Sequence, residues 1–302
     1  MKKILATVAL FFALASTSAF ANDYKCDKKF IFFPGGPEGG PFGTIVYNGA
    51  VAAAEHTGCK VDYYWSQWNS EIMIKQFKEA VDLQPDGIPI YGFPGDAAMR
   101  PIINEAIKKG IVITTMNTPL PDLEAELKTT GFGYAGADLF DAGFNLGKKG
   151  VEVCGLKAGD KAFIWGLASM PNRGERTKGA IAGVESMGVK VVYQEIPDNV
   201  NSDASQGTPM YVATYAANPD IKMAITDHGG LTASLPTYMK AAGHGTEAVC
   251  GAGFDLSAPI VDGINSGYID VVIDQQPFIQ GYMPIVQLYL PTKFGMAGLA
   301  MD

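Results

Sequence analysis

The 302-residue chain is 47% hydrophobic, 18% charged and 11% aromatic, with 23 Lys and Arg against 31 Asp and Glu and a pI near 5.0. This profile excludes a disordered tail, a coiled coil and a collagen-like repeat, and its length suggests about two domains with separate cores. The acidic balance supplies no basic face for a phosphate backbone, so no nucleic-acid partner is expected.

Residues 1–21 read as an export signal: Lys2 and Lys3, an apolar run from Ile4 to Ala15, then small residues at Ala19 and Ala21. That run is too short to span a bilayer, and no later segment is long and apolar enough, so a chain not embedded in a membrane is expected. Export permits disulfides, and four cysteines allow three pairings. Cys26 and Cys59 each precede a predicted strand, and the first two strands of a doubly wound sheet are neighbours, so that pair is expected to bond. Cys154 and Cys250 are left open, because buried unpaired cysteine is common. None of the four forms a CxxC, which argues against zinc and thiol–disulfide chemistry.

Strands are predicted at 30–33, 61–65, 88–91, 111–116 and 132–135, and again at 162–165, 189–193, 223–226, 248–251 and 268–273. Amphipathic segments lie between them. In 70–83, Ile72, Ile74, Phe77, Ala80, Val81 and Leu83 are expected to share a buried face. Gly58, Gly110, Gly188 and Gly243 fit positions just past helix ends. Strand–helix alternation gives parallel sheets covered on both faces, so the fold class is α/β, with two doubly wound parallel-sheet lobes.

Ligands of such sheets bind beyond the carboxyl ends of the strands. The segments there are unusual: the Gly/Pro loop 34–41, Trp65 to Asn69, Phe93-Pro94-Gly95-Asp96, Ser169 to Arg173, Asp227-His228-Gly229 and Phe254-Asp255. The Gly/Pro loop lacks the Gly-Lys-Ser/Thr of a phosphate loop and reads as a tight turn before a helix. Gly131 to Gly136 satisfies GxGxxG, yet it reads as a strand rather than as a turn opening a helix. Three scattered histidines are too few for a metal cluster; His56 reads as a surface residue and His244 as a loop residue. His228 stands at a strand end beside Asp227, where binding and structural roles compete and no GxSxG elbow supports catalysis. Among the aromatics, Trp165 reads as core, whereas Trp68, flanked by Ser66, Gln67 and Asn69, fits a cleft. A pyranose or polyol presents C–H faces to such rings and hydroxyls to the polar rim.

The run Asp274-Gln275-Gln276-Pro277-Phe278-Ile279-Gln280-Gly281-Tyr282 resembles a segment of the periplasmic sugar-binding proteins of ABC importers. Gly253-Phe254-Asp255, Arg176-Thr177-Lys178-Gly179 and Pro41-Phe42 occur in the order found in the ribose/galactose-type group. The resemblance, over roughly residues 28–290, implies a type I periplasmic-binding-protein-like fold with lobes of 22–138 plus 276–302 and 139–275, joined by a hinge. It implies that Phe42 stacks on a sugar ring, that Arg176 offers its fork to neighbouring hydroxyls, that Asp255 accepts from hydroxyls and that Gln275 lies at the hinge-side crossover. Asn117 falls where the group often has Asp, and His228 where it often has Asn. Gly43 stands in place of a second aromatic and Thr118 in place of an arginine, so ribose itself is not the expected ligand. The implied function is a monomeric periplasmic solute-binding protein that carries a neutral monosaccharide or polyol to an inner-membrane ABC permease, with no catalytic residue, metal or cofactor. The rivals are a secreted α/β sugar-processing enzyme and a ligand sensor for a chemoreceptor or sensor kinase.

Overall fold

A computed structural model describes residues 26–294; the expected export signal lies outside them. The first half runs β1 (Lys29–Gly35), α1 (Pro41–Thr57), β2 (Lys60–Trp65), α2 (Ser70–Asp82), β3 (Gly87–Tyr91), α3 (Asp96–Lys108), β4 (Val112–Met116), α4 (Pro121–Leu127) and β5 (Gly133–Ala135). The second runs α5 (Leu139–Val153), β6 (Lys161–Gly166), α6 (Glu175–Glu185), β7 (Lys190–Glu195), α7 (Asp198–Ser202), α8 (Thr208–Ala217), β8 (Ile221–Thr226), α9 (Gly229–Ala241), β9 (Cys250–Phe254), α10 (Ala258–Asn265), β10 (Val271–Ile273) and α11 (Pro277–Phe294).

All strand pairs are parallel, in two five-stranded sheets ordered β2-β1-β3-β4-β5 and β10-β9-β8-β6-β7. Reversed, the second order repeats the first: in each sheet the first strand lies between the second and the third. The strand order therefore reverses direction at β1/β3 and at β6/β8, where a crevice opens between diverging loops. Helices cover both faces, so β1 and β3 are buried almost throughout and read as unbroken apolar runs. One core joins Phe30, Ile88 and Ile113 to Ile285 and Leu288 of α11, which returns from the second sheet to pack on the first. The second lobe has a core on each side of its sheet, one around Phe163, Trp165 and Tyr211, the other around Ile164, Val184 and Phe254. Trp165 is fully buried, as its apolar strand required.

Three local readings change. In α2 the buried residues are Met73, Phe77, Ala80 and Val81, while Ile72 and Leu83 are exposed. The Asn69 side chain accepts from Ile72 N at 3.0 Å, starting the helix at Ser70 with its inward stripe on 73, 77 and 80–81; Leu83 lies past its end. Strand β9 lies later than 248–251, because Ala248 N closes a turn onto Gly245 O. That delay puts Asp255 at the strand's carboxyl end. Strand β10 starts at Val271 because Tyr268 and Ile269 donate their N–H groups back to Gly263 O at the end of α10.

Cys26–Cys59 joins the approaches to the adjacent strands β1 and β2. Cys154–Cys250 ties the end of α5 to the start of β9 and is a second disulfide that spacing did not reveal. Among the described residues no helix is long and apolar enough to cross a membrane.

Candidate functional site

The carboxyl edges of the two sheets face one another across a cavity of about 320 Å³. Phe42, Trp68, Asn117, Arg176, His228, Asp255 and Gln275, all singled out in the sequence, line it.

The first-lobe wall is built by the turn after β1. Gly35 has φ +98°, and a Cβ there would collide with the Trp68 indole. The glycine thus lets the ring lie on the loop, and Trp68 N and Ser66 N both donate to Gly35 O. Pro41 opens α1 at a position where its missing N–H costs nothing, which places Phe42 beside the cavity. Ring centres of Phe42 and Trp68 are 5.9 Å apart, and those of Trp68 and Phe93 6.3 Å.

Arg176 enters from the first turn of α6. A Cβ at Gly143 would strike the Arg176 carbonyl, so glycine there lets α5 and α6 pack backbone to backbone and fixes the arginine's base. Its side chain is 1% exposed and lies 4.5 Å over the Phe254 ring. Nη1 donates to Asp227 O at 3.2 Å and Nη2 to Gln275 Oε1 at 2.6 Å, while Nε has no partner. Burial, with the nearby charge of Arg173, lowers its pKa to about 10, and it stays charged at neutral pH.

Arg173 and Asp227, placed at strand ends by the sequence but not chosen as site residues, form a buried ion pair: Nη1 reaches Asp227 Oδ2 at 3.0 Å and Nη2 donates to Asp227 O at 3.0 Å. The available signal was Arg173's place in the loop after β6, but nothing local joined it to Asp227. Phe93, in the loop after β3, was missed in the same way.

Asp227 is thereby spent on arginine and does not orient His228. Instead His228 caps α9, its Nδ1 accepting from Leu231 N in a long 3.5 Å contact. Nδ1 as acceptor places the ring proton on Nε2, which is buried and unpartnered. Burial, reinforced by Arg173 and Arg176, lowers the imidazole pKa to about 3, so it is neutral at physiological pH.

Asp255, at φ +78°, is 1% exposed. Its Oδ1 accepts from Gln275 Nε2 at 2.8 Å, and its Oδ2 is buried without a hydrogen bond. Burial pushes the carboxyl up to about 6, against the opposing pull of Gln275 and Arg176. Gln275 is the junction. Its Oε1 accepts from Arg176 and, at 3.0 Å, from Asn117 Nδ2, so one amide ties the first lobe to two charged groups of the second. Asn117 also donates to Gln280 Oε1 at 3.1 Å.

Further bridges link the lobes. Asn172, at φ +55°, donates to Asp96 Oδ2 at 2.9 Å and to Pro119 O at 3.1 Å. Ser202 Oγ donates to Gln67 O at 3.3 Å. Elsewhere, exposed His56 meets the Tyr282 hydroxyl and His244 meets the Tyr215 ring edge-on. Gly131–Gly136 is β5 and its approach, not a nucleotide turn. Among the described residues no group of three or more His, Cys, Asp or Glu could hold a metal.

Two α/β lobes of one strand order, with a cavity of aromatic and polar side chains between their carboxyl edges, define a two-lobed binding protein of the type I periplasmic kind. The family model described as a periplasmic binding protein domain matches residues 31–290, and the chain belongs to that family, as a binding protein rather than an enzyme. It is 21% identical over 244 residues to the xylose/arabinose-binding protein XylF of Sulfolobus acidocaldarius, covering 76% of this chain and 58% of XylF, so it spans little more than half of that relative. Its fold is similar to that of GanP, a glucose-galactose binding protein from Geobacillus stearothermophilus, at TM-score 0.76 and 22% identity over 90% of this chain and 92% of GanP. It is also similar to a carbohydrate transporter solute binding protein from Agrobacterium radiobacter in complex with D-arabinose, at TM-score 0.77 and 21% identity over 91% of each chain. A carbohydrate transporter from Acidothermus cellulolyticus 11B in complex with myo-inositol gives TM-score 0.74 and 21% identity, again over 91% of each.

Proposed function

We propose that this protein is the periplasmic solute-binding component of an ABC importer, which takes an uncharged monosaccharide or polyol into the cleft and delivers it unchanged to an inner-membrane permease. The observation that carries this reading is the charge pattern. Among the buried charges Arg173 is matched by Asp227 and Arg176 by Asp255, and the cavity-lining residues leave three buried polar atoms over: Arg176 Nε, His228 Nε2 and Asp255 Oδ2. Two donors and one acceptor among paired buried charges suit hydroxyls, each of which can give and take a hydrogen bond. An anionic ligand would meet Asp255 and, at the exposed rim, Asp203, while a cationic one would meet two buried arginines.

Phe42 and Trp68 provide the apolar faces for a ring's C–H surface. Asn117 and Gln275 position the charged groups, and Arg176, His228 and Asp255 meet the hydroxyls. Closure brings the lobes onto the ligand, and the closed form is the one a permease would recognise. Family membership and the sugar ligands of the relatives support the substrate class, and the leader-like residues 1–21 support export. Calorimetry with pentoses, hexoses and cyclitols, beside a uronate and a sugar phosphate, tests it. The expected result is affinity near micromolar, about −8 kcal/mol, for a neutral compound recovered intact. Preference for a charged compound, or its conversion, would refute it.

A further inference from the structure

We infer, resting on the sugar-or-polyol reading above, that the ligand is a deoxy sugar or deoxy polyol whose hydroxyls face the second lobe and whose methyl or methylene edge lies against the first. The two walls of the cavity are chemically unequal. Those side chains that reach it from the first lobe are chiefly Pro41, Phe42, Trp68 and Phe93, and none is charged. Apart from the half-buried Trp68 indole N–H, the polar side chains on that side are already engaged with one another or with the crossover. Both Asn117 Nδ2 bonds go to Gln275 and Gln280, and the Thr118 hydroxyl donates to Asn117 Oδ1 at 3.4 Å. The second lobe supplies Arg173, Arg176, Asp203, His228 and Asp255, and the three buried polar atoms of the cavity-lining residues that lack partners all belong to it.

Beyond the single Trp68 indole N–H, a ligand hydroxyl turned toward the first wall would give up its water and find no free side-chain donor, which weakens binding about tenfold for each such group. A hydroxyl missing on the other side leaves a buried polar atom unpaired, and sites of that type discriminate more steeply, by up to about 10⁴-fold. The two effects together select a compound that is polyhydroxylated along one edge and hydrocarbon along the other.

Titration calorimetry on the wild-type protein with matched pairs differing by one hydroxyl tests this: D-fucose with D-galactose, L-rhamnose with L-mannose, D-quinovose with D-glucose, and 2-deoxyribose with ribose. The expected result is a deoxy member binding about tenfold or more tightly than its parent in at least one pair. Parents that bind as tightly or more tightly in every pair overturn the inference and leave the sugar-binding function standing. If no member of any pair binds, and neither do pentitols and cyclitols, both readings fall.

Discussion

Replacing Asp255 with Asn separates what the site costs from what it does. The carboxyl is 1% exposed, and burial raises its pKa from the ordinary 3.8 to about 6. At about 1.36 kcal/mol for each tenfold change in proton affinity, keeping it ionised above pH 6 costs the folded protein about 3 kcal/mol. The folded state holds this proton more tightly than the unfolded chain does, so stability falls as pH rises from about 4 to about 6 and is level beyond. Asparagine mimics the protonated acid, tolerates the positive φ, and keeps an oxygen for Gln275 Nε2. The variant should therefore gain up to about 3 kcal/mol at pH 7.5 and only about 1 kcal/mol at pH 4.5. It loses a charged acceptor, so ligand affinity should fall about 10- to 150-fold. Denaturant unfolding at the two pH values, with calorimetry at pH 7.5, reads both effects. A gain equal at both pH values, or no gain at pH 7.5, would refute the assignment of a strained buried carboxylate.

Arg176→Ala should weaken ligand binding about 30- to 1,000-fold by removing charge-assisted donors, while Arg173 still satisfies Asp227 and Asn117 still satisfies Gln275; calorimetry and a melting curve check affinity and fold together. Wild-type affinity should be level from pH 7 to 9 and decline below about pH 6 as Asp255 takes up its proton, with no inflection from His228, whose pKa is about 3; titrations across this range decide. Asn172→Ala removes two bonds between the lobes and should lower apparent affinity a few-fold by favouring the open form, measured by calorimetry and by the radius of gyration in scattering. Replacing Cys154 and Cys250 together should cost about 5 kcal/mol, against about 4 kcal/mol for Cys26 and Cys59, because the separation is 96 residues rather than 33; denaturant melts compare the two.

Features that depend on local chemistry were legible in the chain. Gly58, Gly110, Gly188 and Gly243 all take positive φ after helices, where a side chain would be strained. The central strands were visible because both sheet faces are covered there and their apolar runs are continuous, while half-exposed edge strands such as β2 and β7 were visible by their aromatic and β-branched residues. The Cys26–Cys59 bond followed from topology, since both residues precede strands that must pair. Features created by distant contacts were not. Cys154 and Cys250 meet only because α5 runs back beneath β9, and Arg173 meets Asp227 only across the β6–β8 edge. The inward face of α2 follows the spacing of Met73, Phe77, Ala80 and Val81, and the reading that counted Ile72 and Leu83 with it took in residues that lie off that stripe. The seven cavity-lining candidates were reachable because the ends of parallel strands are where side chains from separate segments converge. Which atoms remain free there became visible only with the hydrogen bonds in place.

The pairwise matching of Arg173 with Asp227 and of Arg176 with Asp255 has a consequence for kinetics. Buried charges matched in this way project little field into the solvent, and a neutral solute would be steered neither by Asp203 at the rim nor by the protein's overall −8. Its capture rate is then governed by diffusion and lobe opening and is nearly independent of ionic strength. On the proposed role in import, solute capture would proceed at the same pace in dilute and in salty surroundings.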